Sequence, residues 1–398
     1  MSEKFKLPSS KGVVFWPIGT GDSTTLVLKP GEVVVQIDLR HLEKAEGDSH
    51  PEWPIVDHLV DALPKIGGKP YLAAFVLTHP DQDHIQGFGE LLEKVHIGEI
   101  WHTPKVFRDQ QDHEALCEDA VAFRDEVHRR RKAIIAAGGV VESGDRLRVI
   151  GHDDLLEEAE YKDLPDECKS RPGAIVESIN GGDLSDSFTA FIHAPFKEDQ
   201  AKDRNKTSLS LNVTIAEGEK RVQFFFFGDR EYQTIKRIFE VTEAFEKNVD
   251  YLKWNVMLSA HHCSKAVMYW QGENDESPKF QKDVMDYFEK YAEPSSFVIA
   301  SALSNFTDEK GKDPPHKKAR KRYEEIVDTG RFICTHEYPD PDDTDNPEPI
   351  VFTIDDSEGL CFEDSRAAVV AVAGLASVGD ARGTSEPPQT VTEFGAKE

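Results

Sequence analysis

A chain of 398 residues, 38% hydrophobic and 30% charged, has material for one large folded domain or two ordinary ones. No stretch reaches the ~20 apolar residues that a membrane-spanning helix needs, and Met1-Ser2-Glu3-Lys4-Phe5-Lys6 lacks an apolar signal core, so no membrane association and a cytoplasmic location are expected. A formal charge of −27 disfavours unassisted binding of long DNA but leaves room for a local positive pocket, above all one holding metal ions.

In chain order, residues 12–38 read as three strands, Val13–Trp16, Ser23–Leu28 and Val33–Asp38, parted by the turns Gly19-Thr20-Gly21-Asp22 and Lys29-Pro30-Gly31. Between 54 and 66, Ile55, Val56, Leu59, Val60 and Leu63 follow helical spacing. A strand Tyr71–Leu77 then delivers Thr78-His79-Pro80-Asp81-Gln82-Asp83-His84, with a helix Ile85–Val95 behind it and a strand Ile97–Trp101 after that. Residues 109–137 are charged and helical in character, with Arg129-Arg130-Arg131 expected on an exposed face. The segment 152–185, rich in Asp, Glu and Gly, reads as a surface insertion.

Strands resume at Phe188–His193, Ser208–Thr214, Val222–Phe227, Trp254–Ser259, Phe297–Ala300 and Arg331–Thr335, with helices at about 231–247, 279–292 and 315–328 between them. Strands interleaved with helices over the whole length predict a layered α/β core. After Ser365 the composition shifts to Ala, Gly, Val, Ser and Pro, so 365–398 is expected to be a flexible tail, with an edge strand at 367–376 as its most ordered form. The five cysteines, 117, 168, 263, 334 and 361, are scattered and fit reduced thiols.

The chemistry gathers at strand ends. His79, Asp81, Asp83 and His84 lie within six positions, and extended backbone followed by a sharp turn brings them to one side. Imidazole and carboxylate are the donors that zinc or manganese accepts. A loop capping the next helix through Asp83 accounts for one aspartate, not for two histidines and a second aspartate. Phe224-Phe225-Phe226-Phe227-Gly228-Asp229 ends an apolar strand on a carboxylate that is placed to bridge two cations, or to cap the following helix. Val256-Met257-Leu258-Ser259-Ala260-His261-His262 repeats the arrangement with paired histidines, one of which is expected to ligate. Lys317 to Arg322 is the densest basic run in an acidic chain; it is read as solvated helix surface, with phosphate contact as the alternative.

The ordered set G-x-G-D-S at 19–23, T-H-P-D-x-D-H at 78–84, N-x-x-S-L at 205–209, G-D at 228–229 and H-H-x-S-K at 261–265 resembles metallo-β-lactamase-fold hydrolases. More narrowly, it resembles the hydrolase domain of the ComEC-type competence proteins and their stand-alone soluble relatives. The resemblance implies an α/β, αββα sandwich over residues 12–364, with insertions at about 109–137 and 152–185. It also implies two divalent ions, zinc first and manganese next: Asp83, His84 and one of His261 or His262 hold one, His79, Asp81 and Asn205 the other, and Asp229 bridges. His193 is a spatial alternative to Asn205. Asp22 and Asp38 sit where such domains have supporting or turn residues, and Cys263 replaces the usual glycine and reads as a buried thiol.

A metal-bound hydroxide is then expected to attack phosphorus or a carbonyl carbon, with Asp83 in the catalytic cluster and His316, or a non-ligating His262, protonating the leaving oxygen. A phosphodiesterase acting on nucleic acid or a smaller nucleotide is the leading expectation. Hydrolysis of a carbon ester, thioester or lactam is the second, and the third is a non-enzymatic or weakly active binding subunit of a defence-type system that docks a protein partner through 109–137.

Overall fold

The structure is a computed structural model that describes residues 5–42, 52–104, 116–158, 160–197 and 207–366. Residues 1–363 form one compact unit and 364–398 a second, of which only 364–366 are described. Asn205 and the Ala/Val run at 367–376 lie outside the described residues. No described helix is long and apolar enough to cross a membrane.

Two sheets face each other. The larger has ten strands, and its main path runs Gly359–Phe362, Ile350–Asp355, Gly12–Phe15, Thr24–Lys29, Val33–Ile37, Lys69–Val76, His96–His102, Arg146–Ile150, Lys169–Ser170. The other has seven, ordered Phe332–Cys334, Ala292–Ala300, Trp254–Leu258, Lys220–Phe226, Ser210–Glu217, Phe188–Ala194, Ile175–Val176. Side-chain alternation along each strand assigns residues to layers. Phe15, Leu26, Val35 and Val76 meet Leu211, Phe224, Val256 and Ile299 between the sheets.

The opposite faces carry helices. Ile55, Leu59, Phe88, Leu91, Phe123 and Val127 cover Val14, Val34, Phe75 and Ile97. Ile235, Phe239, Val284, Phe288 and Tyr323 cover Phe225, Met257 and Val298. The run Phe224 to Phe227 shows the rule: residues 224 and 226 enter the central layer, 225 and 227 the helix layer. This is the αββα sandwich expected of the sequence.

Several elements differ from expectation. The helix foreseen at Ile85–Val95 is two short helices, Gln82–Ile85 and Phe88–Lys94, broken at Gly87, so Asp81 rather than Asp83 stands at the N-cap position. Arg130 is not on an exposed face. It is buried, pairs with Glu126 at 2.7 Å and donates to the carbonyls of Ile97, Gly98 and Arg146, pinning helix Glu118–Ala136 to the sheet. The segment 152–185 is woven in as well: Lys169–Ser170 extends one sheet and Ile175–Val176 the other. The hairpin Ile350–Asp355 and Gly359–Phe362 pairs with Gly12–Phe15 and completes the large sheet.

Candidate metal centre

Strand direction decides where the polar residues meet. Val33–Ile37 and Lys69–Val76 are parallel, as are Lys220–Phe226 and Trp254–Leu258, so Asp38, His79, Asp229 and His261 all leave the sandwich at one edge. Gly228 turns the chain there with φ 61°, and a Cβ on it would lie 2.9 Å from Cβ of Ser208, so glycine is required to present Asp229. His261, His262 and Cys263 have φ of 49°, 50° and 64°, three consecutive side-chain-bearing residues in the left-handed region. Such residues cost about 1–2 kcal/mol each. Bonds at both ends hold the turn: His261 N–H donates to Gly228 O at 3.2 Å and His316 N–H to Cys263 O at 3.1 Å. The turn brings both imidazoles to the edge.

Around His84 four donor atoms converge. His84 Nε2 lies 3.2 Å from His262 Nε2, 3.3 Å from Asp229 Oδ1 and 3.9 Å from Asp83 Oδ2. His262 Nε2 lies 3.4 Å from Asp229 Oδ1 and 3.2 Å from Asp83 Oδ2. Tetrahedral ligands with zinc bonds of 2.0–2.1 Å are about 3.3 Å apart, so this spacing fits a shared cation. The other carboxylate oxygen of Asp229 faces a second group: Asp229 Oδ2 is 3.6 Å from His79 Nε2 and 3.7 Å from His261 Nε2. His79 Nε2 is in turn 3.6 Å from Asp81 Oδ2. His79 Nε2 and Asp229 Oδ1 are buried without a hydrogen-bond partner, which an ion among these donors would remedy.

Two carboxylates stand behind the rings. His84 Nδ1 donates to Asp38 Oδ2 at 2.8 Å, and Asp38 also accepts the Thr78 N–H at 2.7 Å and the Thr78 hydroxyl at 2.6 Å. Asp22 Oδ1 lies 3.4 Å from His262 Nδ1, and the Asp22 N–H donates to Asp83 O at 3.1 Å. Asp22, His84, Asp229 and His262 are all buried, with potential ligand atoms within 4.8 Å of one another. Asp22 nevertheless addresses the Nδ1 side of His262, away from the converging Nε2 atoms, so its place is that of an orienting partner. A carboxylate on Nδ1 keeps the Nε2 lone pair aimed at the cluster. Asp38→Asn is expected to weaken zinc binding by about 10- to 100-fold with secondary structure unchanged, read by competition with a chromophoric chelator. Unchanged affinity would remove Asp38 from this role.

The electrostatics call for a cation. Burial opposes charge on His84, yet Asp229, Asp83 and Asp38 hold its pKa well above the ordinary value. Burial likewise opposes charge on His262, and Asp229 and Asp22 raise it well above the usual range. Asp229 is held well below the usual carboxylate range against its own burial by His262, His84, His261 and His79. His79 is pushed well below the imidazole range by burial and by the neighbouring His84. Buried carboxylates thus hold positive charge at the positions a metal ion would fill.

The structure separates the expected residues. His79, Asp81, Asp83, His84, Asp229, His261 and His262 come together, and both paired histidines face the cluster where the sequence argued for one. His316 does not offer a nitrogen: Nδ1 accepts from Lys265 N–H at 3.2 Å and Nε2 faces Lys312 O at 3.3 Å, so its ring fastens the left-handed turn. His193 is not a ligand alternative either. It stacks on Phe225 and its nitrogens face Thr242 Oγ1 and Tyr251 O, with burial pushing its pKa down to about 3. Cys263 is fully buried, which pushes its thiol pKa up. In the basic run, Arg320 is paired with Glu337 at 2.7 Å and Arg322 with Glu325 at 2.7 Å, so those cations are engaged within the chain. The pairing of Asp38 and Asp22 with ring nitrogens was not legible beyond their places at a strand end and a turn.

No protein-family model matches the sequence, and no curated protein matches it. Similar solved structures include a subclass B3 metallo-β-lactamase of Bradyrhizobium japonicum, at 12% identity over 73% of this chain and 92% of that one, with a TM-score of 0.33. A class B3 di-zinc metallo-β-lactamase from an Alaskan soil metagenome aligns at 11% identity over 73% and 92%, with a TM-score of 0.30. A diphosphatase of the PhnP family aligns at 9% identity over 86% of this chain and 97% of its own, with a TM-score of 0.32.

Proposed function

We propose that this protein is a metal-dependent hydrolase with two cation positions, acting as a phosphodiesterase on a short nucleic acid or nucleotide. The observation that carries the reading is the division of Asp229: Oδ1 faces His84 and His262, and Oδ2 faces His79 and His261. Asp83 completes the first donor set and Asp81 the second, each with two imidazoles and two carboxylates. Such mixed nitrogen and oxygen sets suit zinc first and manganese next. Two divalent ions bound there supply Lewis acidity towards a phosphoryl oxygen and acidify a water.

The chain's own residues do the rest. Asp38 and Asp22 hold the rings of His84 and His262. His79, His84 and His262 are at most 2% exposed, so water is shut out on that side. Asp83, Asp81 and His261 are 32%, 29% and 16% exposed, and substrate approaches over them. With His316 engaged by backbone and both paired histidines facing the cluster, no imidazole is assigned to the leaving oxygen, which takes its proton from solvent on that open face.

The phosphodiester reading draws on the order of the sequence motifs, including the narrow resemblance to ComEC-type domains. Its test is turnover of bis-p-nitrophenyl phosphate by purified protein, after chelation and after re-addition of Zn²⁺ or Mn²⁺. Hydrolysis lost and regained with metal, and absent on a chromogenic lactam and a thioester, is the expected pattern. Lactam or thioester cleavage without diester cleavage would move the reading to carbon-centred hydrolysis. Inactivity on all three with no metal retained would overturn the enzyme reading.

A further inference from the structure

The two donor sets that share Asp229 are not equally supported from behind. In the first, His84 Nδ1 lies 2.8 Å from Asp38 Oδ2 and 4.0 Å from Asp22 Oδ2, and His262 Nδ1 lies 3.4 Å from Asp22 Oδ1. Each of its imidazoles therefore has a buried carboxylate on the side away from the cluster. In the second, His79 Nδ1 faces the Thr78 hydroxyl oxygen at 3.1 Å, and that hydroxyl donates to Asp38 Oδ2 at 2.6 Å. His79 is thus backed by a neutral group. His261 Nδ1 is buried and has no hydrogen-bond partner among the described residues.

Charge and spacing run the same way. Asp83 and Asp229 face the first position with Asp38 and Asp22 behind it, whereas Asp81 and the shared Asp229 serve the second. Four carboxylates attract a divalent ion more strongly than two, and Asp22, Asp38 and Asp229 are buried, where water screens them little. Donor separations in the first set are 3.2, 3.2, 3.3 and 3.4 Å, with His84 to Asp83 longer at 3.9 Å. Those in the second are 3.6, 3.6 and 3.7 Å, wider than the about 3.3 Å of tetrahedral zinc ligands. His261 is also 16% exposed, against at most 2% for His84 and His262. A carboxylate on Nδ1 fixes the ring and makes Nε2 a stronger donor, and losing such a partner costs about 10- to 100-fold in metal affinity.

We propose that the two positions fill in order: the first holds its ion tightly, and the second takes one only at higher free metal, so that hydrolysis waits on the second. This ordering rests on the two-cation reading above and adds to it a dependence on metal supply. With no carboxylate directly behind His79 or His261, the second position is weaker by at least about 100-fold.

The test uses the full chain, treated with chelator and equilibrated over a series of buffered free Zn²⁺ concentrations. Bound zinc is counted at each by emission spectroscopy, and bis-p-nitrophenyl phosphate turnover is followed in parallel. Two steps of one ion each are expected, at least about 100-fold apart in free zinc, with turnover rising on the second. Asp38→Asn moves the first step towards the second by about 10- to 100-fold, and His261→Ala removes the second while the first stays in place. The wild-type curve alone can overturn the ordering: entry of both ions in one step does so and leaves the two-cation reading intact. Full turnover after the first step also overturns it. So does a second step that survives in folded His261→Ala, which is zinc on surface carboxylates, or loss of the first step in that variant. Saturation at a single ion strikes the two-cation reading itself, and the ordering with it. Two separated steps with no diester turnover at either leave the ordering standing and strike the phosphodiester reading.

Discussion

Asp229→Ala is expected to lower turnover of bis-p-nitrophenyl phosphate by about 10³-fold or more and to leave the protein with less than one tightly held divalent ion. The size of the effect follows from geometry. One carboxylate supplies an oxygen to each donor set, 3.3 Å from His84 Nε2 on one side and 3.6 Å from His79 Nε2 on the other, so its loss opens both positions at once. It also removes the carboxylate that does most to raise the pKa of His84 and His262. Asp229→Asn keeps the side-chain volume and one acceptor oxygen, and separates loss of charge from loss of packing. Circular dichroism and a metal count by emission spectroscopy accompany the kinetics. A folded Asp229→Ala protein with two ions and ordinary turnover would remove this residue from the centre of the site.

The second large effect distinguishes His261 from Asn205. His261→Ala is expected to lower bound metal from two equivalents to one and turnover by at least about 10²-fold, since His79, Asp81 and Asp229 then lack their fourth donor. Asp83, His84 and His262 keep theirs. Asn205→Ala should change neither number, although the motif order aligned Asn205 with that position. The reason is the left-handed turn at His261–Cys263, which carries two adjacent side chains to the two sides of Asp229. If Asn205→Ala loses an ion and His261→Ala keeps both, the assignment of the second position is wrong. A His262→Ala variant, expected to empty the other position, completes the comparison.

Much of this centre is readable from local pattern. An apolar strand ending in Thr78-His79-Pro80-Asp81-Gln82-Asp83-His84 can do little with four ionisable groups in six positions unless they share a charge. Strand periodicity also places Asp229 and the paired histidines at strand ends. The alternation of Phe224 to Phe227 between two apolar layers was implicit in an unbroken aromatic run, which suits a strand covered on both faces. Where local pattern failed, a distant partner was responsible. Arg129-Arg130-Arg131 looks like one exposed face, but Glu126 and three strand carbonyls make burial of Arg130 acceptable. The basic run after His316 reads as solvated helix surface, and its alternative of phosphate contact loses two cations to Glu337 and Glu325. The acidic insertion looks like a loose loop, but its short strands extend both sheets.

The amino-acid sequence by itself determined the layered α/β architecture, the strand ends that carry the donors, and the donor types that admit a divalent ion. These follow from periodicity and residue chemistry, which act over a few neighbouring positions. Only the tertiary structure decided that both His261 and His262 face the cluster, that Asp38 and Asp22 stand behind the rings, and that His316 is a fastener. Those outcomes depend on a left-handed turn and on strands brought together from positions dozens to hundreds of residues apart. A one-dimensional pattern carries no distance between such groups, and the chemistry of a metal centre is a matter of distances.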